Sequence, residues 1–424
     1  MKQMKDSGIE WIGQIPEEWN IWPTKRFFRH TKTLAGEQVD SYERLALTMN
    51  GVIKRSKDDS EGLQPEKFDT YQVLRENELV FKLIDLANVK TSRVGLSPYT
   101  GIVSPAYIIL TNDNEDNRFY YYYFMSMYYN EIFNNLGDNG VRSSLNAQDL
   151  LNIPMIDIPS SLQKRIADFL DEKCGKIDRY IEKQQQVIEK LKAYKQSVIT
   201  ETVTKGLNPD VPMKDSGIEW IGMMPEHWQL SHIGNLAEIG SGGTPDRNKP
   251  QYWVDGHILW MSSGEINYEY VYDTVEKITE LGMQNSNAKM LPTNTVMLGL
   301  IGQGKTKGMT AILKVESTCN QNLAYLITNP SFLHYEYLFY CFKAMYNYIR
   351  GLVGESQAGI YQYFLKKQSI PLPNIEDQKT ISQELNDICV DIDANIAKKQ
   401  LLINKLIEYK KSLIYEAVTG KLEV

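Results

Sequence analysis

MKDSGIEWIGQIPEEW, at residues 4–19, decides the architecture because it returns as MKDSGIEWIGMMPEHW at residues 213–228. The two copies agree at 13 of 16 positions. A second repeat follows, since residues 163–204 and 378–419 agree at 20 of 42 positions without a gap. The segments between these repeats, of roughly 140 residues each, have no obvious similarity. We therefore expect one frame with an internal pseudo-two-fold repeat that carries two different surfaces.

The composition is that of a globular protein with large cores. Of its 424 residues, 42% are hydrophobic and 23% are charged, which favours two or three domains. No apolar run approaches the roughly 18 residues of a membrane helix, and the first residues lack the apolar segment of a secretory signal. The four cysteines contain no C-x-x-C pair, so we expect reduced thiols and a cytoplasmic location. The net charge of −7 argues against a generally basic, non-specific polyanion binder.

The second repeat has hydrophobic residues at heptad spacing. Residues 176–203 contain neither Pro nor Gly, and Cys174, Ile181 and Ile188 fall at heptad position a. Such a seam predicts two long coiled-coil helices that pair antiparallel within the chain. The residues predicted to pair the helices are Ile177, Ile181, Ile188, Leu191 and Val198 in the first copy and Ile392, Ile396, Ile403, Leu406 and Leu413 in the second.

Neighbouring residues refine this prediction. Val187 and Tyr194 widen the apolar stripe, which favours contact with a further partner. Gly206 and Gly420 stand where a helix C-cap is expected,. If a two-fold relates the halves, the last residues of the chain lie beside residues 4–19. The alternative is a long helix that packs only on its own domain.

The segments between the repeats predict two mixed heads. Each runs through strand-like segments, an aromatic-rich amphipathic helix (residues 119–136 and 336–352) and a polar, glycine-containing turn, and each ends at an Ile-Pro step,. The fold class is therefore α+β, with two mixed α/β heads, of one fold but different surfaces, separated by two long helices. The predicted boundaries are 1–153 for the first head, 154–207 for the first helix region, 208–370 for the second head and 371–424 for the second helix region.

Two motifs suggest catalysis but lack their context. Residues 299–306, GLIGQGKT, satisfy the P-loop pattern, which needs a helix immediately afterwards. The residues that follow are typical of a strand, so we expect a hairpin or loop at a sheet edge. Residues 329–332, NPSF, lack the second proline of the N-P-P-[YF] motif of adenine methyltransferases, and no F-x-G-x-G cofactor loop is present. The five histidines show no metal-ligand spacing, so we predict a non-catalytic chain with no metal site.

Several motifs in a fixed order resemble type I restriction–modification specificity subunits. They are the block at residues 4–19, GSGGTPDRNKPQYW at 240–253, TCNQNLAYLI at 318–327, SQAGI at 356–360, IPLPNIEDQKTI at 370–381, and in the first head GIVSPAYIIL at 101–110 and NGVRSSL at 139–145. The resemblance covers essentially the whole chain. The first head lacks the GGTP run of residues 242–245, so residue assignments do not transfer between the heads.

The resemblance implies a DNA reader that performs no chemistry. Each head would be a target recognition domain for one half of a bipartite, asymmetric site in double-stranded DNA. The helices would space the heads and dock two methyltransferase (modification) subunits, which restriction subunits join. This chain would bind no cofactor, because S-adenosylmethionine and ATP with Mg²⁺ would belong to the partner subunits. A non-catalytic protein–protein scaffold and a nucleotide-dependent enzyme using residues 299–306 are the alternatives.

Base edges are read mainly by Arg, Lys, Asn and Gln, while Lys, Ser, Thr and backbone amides hold phosphates. On this basis the candidate DNA-binding residues are Lys54, Arg55, Lys57, Lys82, Lys90, Ser92, Arg93 and Arg142 in the first head and Thr244, Arg247, Lys249, Tyr252, Gln303, Lys305, Lys307 and Gln357 in the second. For each cation the alternative is a solvated surface charge. Asn320 and Gln321 fit equally well as buried, hydrogen-bonded residues.

Overall fold

The computed structural model describes residues 3–59, 68–84, 86, 93–136, 144–301, 305–353 and 359–424. These residues form two compact units, Met1–Gln185 with Gln400–Val424, and Gln186–Lys399. The first unit contains the first head, and the second unit contains the second head. Each unit also includes part of both long helices, so the units differ from the predicted division by chain order.

In the first head a run of short strands is followed by short helices and a closing strand, after which the first long helix begins. In chain order the elements are β1 Met4–Asp6, β2 Gln14–Pro16, β3 Asn20–Pro23, β4 Arg29–His30, β5 Arg44–Thr48, β6 Gly51–Arg55, β7 Gln72–Leu74, β8 Leu79–Phe81, β9 Val94–Leu96, β10 Gly101–Val103, β11 Ile108–Thr111, α1 Arg118–Tyr129, α2 Ile132–Asn135, α3 Ala147–Leu151, β12 Pro154–Asp157 and α4 Ser160–Lys205. Short 3-10 turns lie at Thr24–Arg26 and Gly36–Ser41.

The second head follows the same general order. Its elements are β13 Met213–Asp215, β14 Met223–Pro225, β15 Gln229–His232, β16 Ala237–Ser241, β17 Ile258–Met261, β18 Tyr270–Val271, β19 Glu276–Ile278, α5 Glu280–Gln284, β20 Val296–Gly299, β21 Thr310–Leu313, β22 Thr318–Cys319, β23 Leu323–Thr328, α6 Tyr335–Val353, α7 Gln362–Lys366, β24 Ser369–Leu372 and α8 Ile375–Val418. Its 3-10 turns are Ile233–Asn235, Pro250–Tyr252 and Ser263–Asn267.

The two heads share one scheme of strand pairing. In the first head the sheet order is β4-β11-β8-β9, and in the second it is β16-β23-β20-β21-β18. In the other sheet, β5 pairs parallel with β10 and antiparallel with β6. In the second head β17 likewise pairs parallel with β22 and antiparallel with β19. The sheets differ by one added strand each, β7 in the first head and β18 in the second.

Each head is closed where its chain enters and leaves. The entering strand β3 pairs antiparallel with β12 in the first head, and β15 pairs with β24 in the second. The Ile-Pro steps therefore lie in the closing strands. Thr24 donates from its backbone N–H to the carbonyl of Ile153 at 2.8 Å, and Ile233 donates to that of Gln368 at 2.8 Å. Because the entering and leaving strands of a head pair with each other, the sequence between them can change without moving the long helix that follows.

The aromatic helices fill the cores, as their sequence pattern predicts. In α1, Phe119, Tyr123 and Phe124 are buried, and Phe124 packs edge-on against Phe81 at 4.9 Å between ring centroids. In α6 all residues from Tyr337 to Phe342 are buried in the core of the second head. Burying each large aromatic contributes roughly 1.5–3 kcal/mol, so these helices supply much of the stability of each head.

Helix α4 extends well beyond residues 176–203, which lack Pro and Gly, and the residues predicted to pair the two long helices are buried or half-buried. Of the residues predicted to pair them, Ile177, Ile188, Ile392, Ile403 and Leu413 are buried, whereas Ile181, Leu191, Val198, Ile396 and Leu406 are half-buried. In the first unit Lys410 Nζ lies 2.7 Å from Asp178 Oδ1. In the second unit Lys195 Nζ lies 2.7 Å from Asp393 Oδ2. Among the described residues, no helix is long and apolar enough to span a bilayer.

Each long helix ends on one copy of the repeated block. Gly420, with φ of +75°, packs on Pro16 and Trp19, and Gly206, with φ of +76°, packs on Pro225 and Trp228. Lys421 Nζ also donates to the carbonyl of Ile12 at 2.9 Å. The last residues of the chain therefore lie beside residues 4–19, as predicted. Glycine is needed at both ends because the left-handed conformation and the close tryptophan leave no room for Cβ.

Gly420→Ala should destabilise the first unit by about 2–3 kcal/mol, because it combines left-handed strain with a clash. A Cβ at this position would lie 2.6 Å from Pro16 Cδ. Gly8→Ala is the matched control, since Gly8 has φ of +73° but no atom within 4 Å of a built Cβ, and should cost only about 1 kcal/mol. Urea denaturation measures both. Equal losses would show that the contact with Pro16 and Trp19 contributes nothing.

Candidate nucleic-acid interface

Three predicted cations of the first head lie together on or beside the edge strand β6. Lys54 Nζ lies 2.7 Å from Glu43 Oε2, and Arg55 Nε lies 2.7 Å from Asp59 Oδ2. Lys57 Nζ donates to the carbonyl of Val39 at 2.8 Å and lies 3.8 Å from Asp40. They line an open groove of about 450 Å³. The clustering suits an anionic ligand, but acidic side chains already engage these cations.

Of the other predicted residues of the first head, two lie in the described part of the chain and three lie outside it. Arg93 is only 4% exposed, and its Nη1 donates to Asn134 Oδ1 at 3.0 Å. The guanidinium therefore bonds within the head rather than facing a ligand. Lys82 is half-buried. Lys90, Ser92 and Arg142 lie outside the described residues.

Arg247 is the most strongly organised predicted cation of the second head. Its guanidinium carbon lies 3.7 Å from the ring centroid of Trp253 and 4.9 Å from that of Trp260. Glu276 accepts two hydrogen bonds from the same guanidinium, one of them at 2.9 Å from Nη2 to Oε2. These bonds raise the pKa of Arg247 and lower the pKa of Glu276. The planar donor fork is thus held in one orientation at the surface.

The neighbouring predicted residues have different roles. Lys249 is exposed and lies 5.3 Å over the ring of Tyr252, which is itself only 6% exposed. Thr244 donates its hydroxyl to the side-chain carbonyl of Gln321. Tyr252 is therefore a supporting core residue, while the ammonium of Lys249 is available at the surface.

The glycines of the GGTP run pack against a neighbouring turn. A Cβ on Gly242 would lie 1.9 Å from the carbonyl oxygen of Cys319. Gly243 donates its N–H to that oxygen at 2.9 Å and accepts from Trp260 Nε1 at 2.9 Å. Asn320 is buried and caps the backbone of the same turn. These motifs therefore support the surface that carries Arg247, and the buried interpretation of Asn320 is correct.

The strands on either side of the P-loop-like segment, part of which lies outside the described residues, pair antiparallel as the predicted hairpin requires, although both lie inside their sheet rather than at its edge. Strands β20 and β21 pair antiparallel, and Gly308 donates its N–H to the carbonyl of Gly299 at 2.8 Å. Lys305 is exposed, with its carbonyl held by Tyr346 Oη at 2.8 Å. Lys307 is only 7% exposed, and its carbonyl accepts from Arg350. Gln303 and Gln357 lie outside the described residues. Of the two loop lysines, Lys305 is therefore the one positioned for an anion.

Each head is held on the long helices by buried tyrosine hydroxyls. Tyr122 of α1 donates to Asp171 at 2.6 Å, and Tyr340 of α6 donates to Asn386 at 2.6 Å. Asp171 and Asn386 occupy equivalent positions of the helix repeat. Tyr270 also donates to Asn386 at 3.0 Å. These contacts fix how each head meets the helix segments of its own unit.

The sequence did not indicate the acidic partners Glu43 and Glu276, which the structure places on predicted cations. Each lies far from its cation along the chain, so their contact depends on strand register. Among the described residues, no group of His, Cys, Asp and Glu has an arrangement that would hold a metal ion.

Comparison with known proteins finds one family for part of the chain. Residues 225–404 match the family model described as the type I restriction modification DNA specificity domain. Curated proteins named as type I restriction enzyme specificity subunits are similar to this chain at 29% identity or less.

Three relatives illustrate the range of similarity. The specificity subunit of type I restriction enzyme MjaIX from Methanocaldococcus jannaschii is 29% identical over 192 residues, 44% of this chain and 43% of the relative. That of EcoR124I/EcoR124II from Escherichia coli is 25% identical over 209 residues, 48% and 49% of the two chains. The chain thus spans about half the length of these two curated relatives. The putative MjaX specificity subunit, also from M. jannaschii, is 23% identical over 435 residues, 97% of this chain and 96% of the relative.

Solved structures share the fold of this chain. A chain from a structural study of complex assembly and conformational transition in the type I R-M system aligns with a TM-score of 0.74 at 15% identity, over 96% of this chain and 99% of that one. The HsdS subunit from Thermoanaerobacter tengcongensis aligns with a TM-score of 0.50 at 13% identity, over 96% and 98%.

A charged cluster helps to position the second head. Lys343 of α6 pairs with Glu269, and Lys195 of α4 lies 3.8 Å from Glu269 and 2.7 Å from Asp393 of α8. Burial acts to raise the pKa of Glu269, but Lys343 and Lys195 outweigh it and leave the pKa below 4.5. Burial lowers the pKa of Lys343 although Glu269 opposes the change. The head and both helices therefore share one set of ion pairs.

Glu269→Gln should destabilise the second unit by roughly 2 kcal/mol, because the substitution leaves the half-buried Lys343 ammonium without its partner,. Adding Lys343→Met should recover about half of the loss, since the uncompensated charge is then gone. The contribution of Glu269 is present above pH 4.5 and is lost as the pH falls through its lowered pKa,. Urea titrations between pH 7 and pH 3 measure these effects. Additive losses in the double variant would contradict the pairing.

Proposed function

We propose that this chain is the DNA sequence-specificity subunit of a type I restriction–modification complex and performs no chemistry itself. Each head reads one half of a bipartite, asymmetric site in double-stranded DNA. The supporting observation is that one scheme of strand pairing occurs in both heads while the exposed residues on it differ. A repeated frame with different surfaces is suited to reading two different half-sites. The match of residues 225–404 to the type I restriction modification DNA specificity domain supports the same conclusion.

The long helices set the distance between the half-sites in this proposal. They form an antiparallel pair in a pseudo-two-fold frame, supported by the ion pair of Asp178 with Lys410 and that of Lys195 with Asp393. Helix α4 has 46 residues, which corresponds to a rise of about 69 Å at roughly 1.5 Å per residue. A spacer of fixed length accounts for a gap of fixed length between half-sites.

Partner subunits supply the chemistry. Two methyltransferase subunits, which use S-adenosylmethionine, dock on the helices, and restriction subunits that use ATP and Mg²⁺ join them in the cytoplasm. The supporting feature is an apolar stripe on the part of α4 in the second unit, where Val187 and Tyr194 stand at seven-residue spacing. They are 37% and 59% exposed. Such a stripe fits the apolar face of a partner helix.

The proposed DNA-reading residues are those predicted cations that reach the surface. They are Lys54, Arg55 and Lys57 in the first head and Arg247, Lys249 and Lys305 in the second. The arginines have the donor fork that a guanine edge accepts, whereas the lysines suit phosphates. Arg93, Tyr252 and Lys307 are buried, so we assign them to support of the heads.

Arg247→Ala should relax recognition of one half-site by about 1–3 kcal/mol of discrimination and spare the other, and Arg55→Ala should do the reverse. The arginines lie in different heads, so their effects should separate. Competition binding with duplexes altered in either half-site, using the complex with its methyltransferase partner, measures both. Equal loss on the two half-sites from either substitution would contradict the assignment.

Lys305→Ala should weaken binding to all duplexes alike, because a phosphate contact carries no sequence information. The slope of log K against log salt should become shallower by about 0.9. A sequence-dependent loss at constant slope would instead identify Lys305 as a base-reading residue.

Tyr194→Asp should reduce binding of the methyltransferase subunit at least tenfold, because a charge would enter an apolar contact. Tyr272→Asp is the control, since Tyr272 is 70% exposed and belongs to the second head rather than to α4. Co-purification and sedimentation measure complex formation. Normal assembly of the Tyr194 variant would place the methyltransferase contact on another face.

A further inference from the structure

Arg247 belongs to a rigid surface assembly rather than to a free side chain. The rings of Trp253 and Trp260 meet edge to face with centroids 5.2 Å apart, and the guanidinium lies against both. Trp253 Nε1 donates to the carbonyl of Asp246 at 3.2 Å, and Trp260 Nε1 donates to that of Gly243 at 2.9 Å. The two tryptophans are therefore fixed, and they limit the guanidinium to one plane.

Glu276 occupies the donors of that guanidinium. Its carboxylate accepts from Nη1 and Nη2 of Arg247. Glu276 begins β19, where it pairs in register with Trp260, and its carbonyl accepts from Thr274 Oγ1 at 2.7 Å. The carboxylate is thus held by the same sheet that holds the tryptophans. Both side chains of the pair remain accessible, with 49% of Arg247 and 38% of Glu276 exposed, so a ligand can compete for the bond.

We propose that Glu276 restricts Arg247 to base edges with two acceptors, because it keeps the guanidinium paired until such an edge displaces it. This inference rests on the proposed function. The O6 and N7 atoms of guanine offer the two acceptors that replace a carboxylate fork, whereas a base edge with one acceptor does not. On a wrong sequence the arginine therefore remains with Glu276.

The displaced carboxylate carries a cost. Once Arg247 turns to DNA, Glu276 is left unpaired close to a polyanion, and that cost is recovered only by a good replacement contact. Without Glu276 the same guanidinium would bind any nearby phosphate. The pair therefore keeps Arg247 off unrelated DNA, and it lowers affinity for the recognised site by the strength of the ion pair.

A second ion pair in the same head provides a matched control. Lys289 Nζ lies 2.6 Å from Glu238 Oε1, and the ammonium lies 5.5 Å over the ring of Tyr325. It is likewise an exposed cation on an aromatic ring with one acidic partner. Glu238→Gln removes the same charge as Glu276→Gln from the same head, so it reports the effect of net charge alone.

The experiment uses the complex of the full chain with its methyltransferase partner. Dissociation constants are measured at several salt concentrations for three duplexes: the site that the complex methylates, the same site with the second half-site scrambled, and an unrelated sequence. The variants are Glu276→Gln, Glu238→Gln, Arg247→Ala and the double variant Arg247→Ala with Glu276→Gln. Thermal melting of each confirms that the second head is folded.

Glu276→Gln should tighten binding to the recognised site about fivefold, since that complex no longer has to break an exposed ion pair of about this strength. Binding to the scrambled and unrelated duplexes should tighten less, because there Arg247 gains only a phosphate contact. On unrelated DNA the salt slope should steepen by up to about 0.9, because Arg247 then neutralises a phosphate. Glu238→Gln should show none of these differences between duplexes. In the Arg247→Ala background, Glu276→Gln should change nothing further.

Two results would overturn the inference while the proposed function stands. If Glu276→Gln changes all duplexes in the same way as Glu238→Gln, the pair is only structural. If Glu276→Gln weakens binding to the recognised site alone, Glu276 contacts a base itself, as an acceptor from cytosine. A wild-type complex that prefers no duplex would contradict the proposed function instead, without reference to any variant.

Discussion

The structure depends on burial of the apolar stripe of two very long helices. Helices of 46 and 44 residues gain most of their stability from packing rather than from intrinsic propensity. In the first unit Ile166 and Leu170 share one core with Tyr123 and Leu413, and in the second Leu385 shares one with Tyr337 and Ile199. A head therefore stabilises the helices at the same time as the helices hold the head. Buried hydroxyl contacts, such as that of Tyr340 with Asn386, add direction to this packing,.

The repeat explains how two surfaces can change independently on this support. Entry and exit strands close each head in one ladder, and the glycine at each helix end packs on a proline and a tryptophan of the repeated block. These contacts involve repeated residues, whereas the exposed cations lie on the segments between the repeats. The acidic net charge of −7 is consistent with local basic groups whose carboxylate partners restrain them. Restraint of this kind limits general affinity for DNA.

Local features could be predicted from the sequence, and contacts between distant segments could not. The aromatic helices, the hairpin after Gly299 and the glycine C-caps follow from periodicity and backbone chemistry over a few residues. The pairing of Arg247 with Glu276 depends on strand register across the sheet, which no short motif specifies. Arg93 and Lys307 are polar residue types that usually lie at the surface, and only the fold shows that they are buried. Each compact unit combines a head with parts of both long helices. The residues that pack against a long helix come from separate parts of the sequence, which no local pattern shows.

The most direct test of the account is a map of the adenines that the wild-type complex methylates. The chain would be co-expressed with its methyltransferase partner, and modified bases would be located across the host genome by single-molecule sequencing. Two heads on a spacer of fixed length predict a bipartite motif, with one modified adenine on each strand and an unspecified gap of constant length. A continuous motif, a gap of variable length, or a stable complex that methylates no motif would contradict the account.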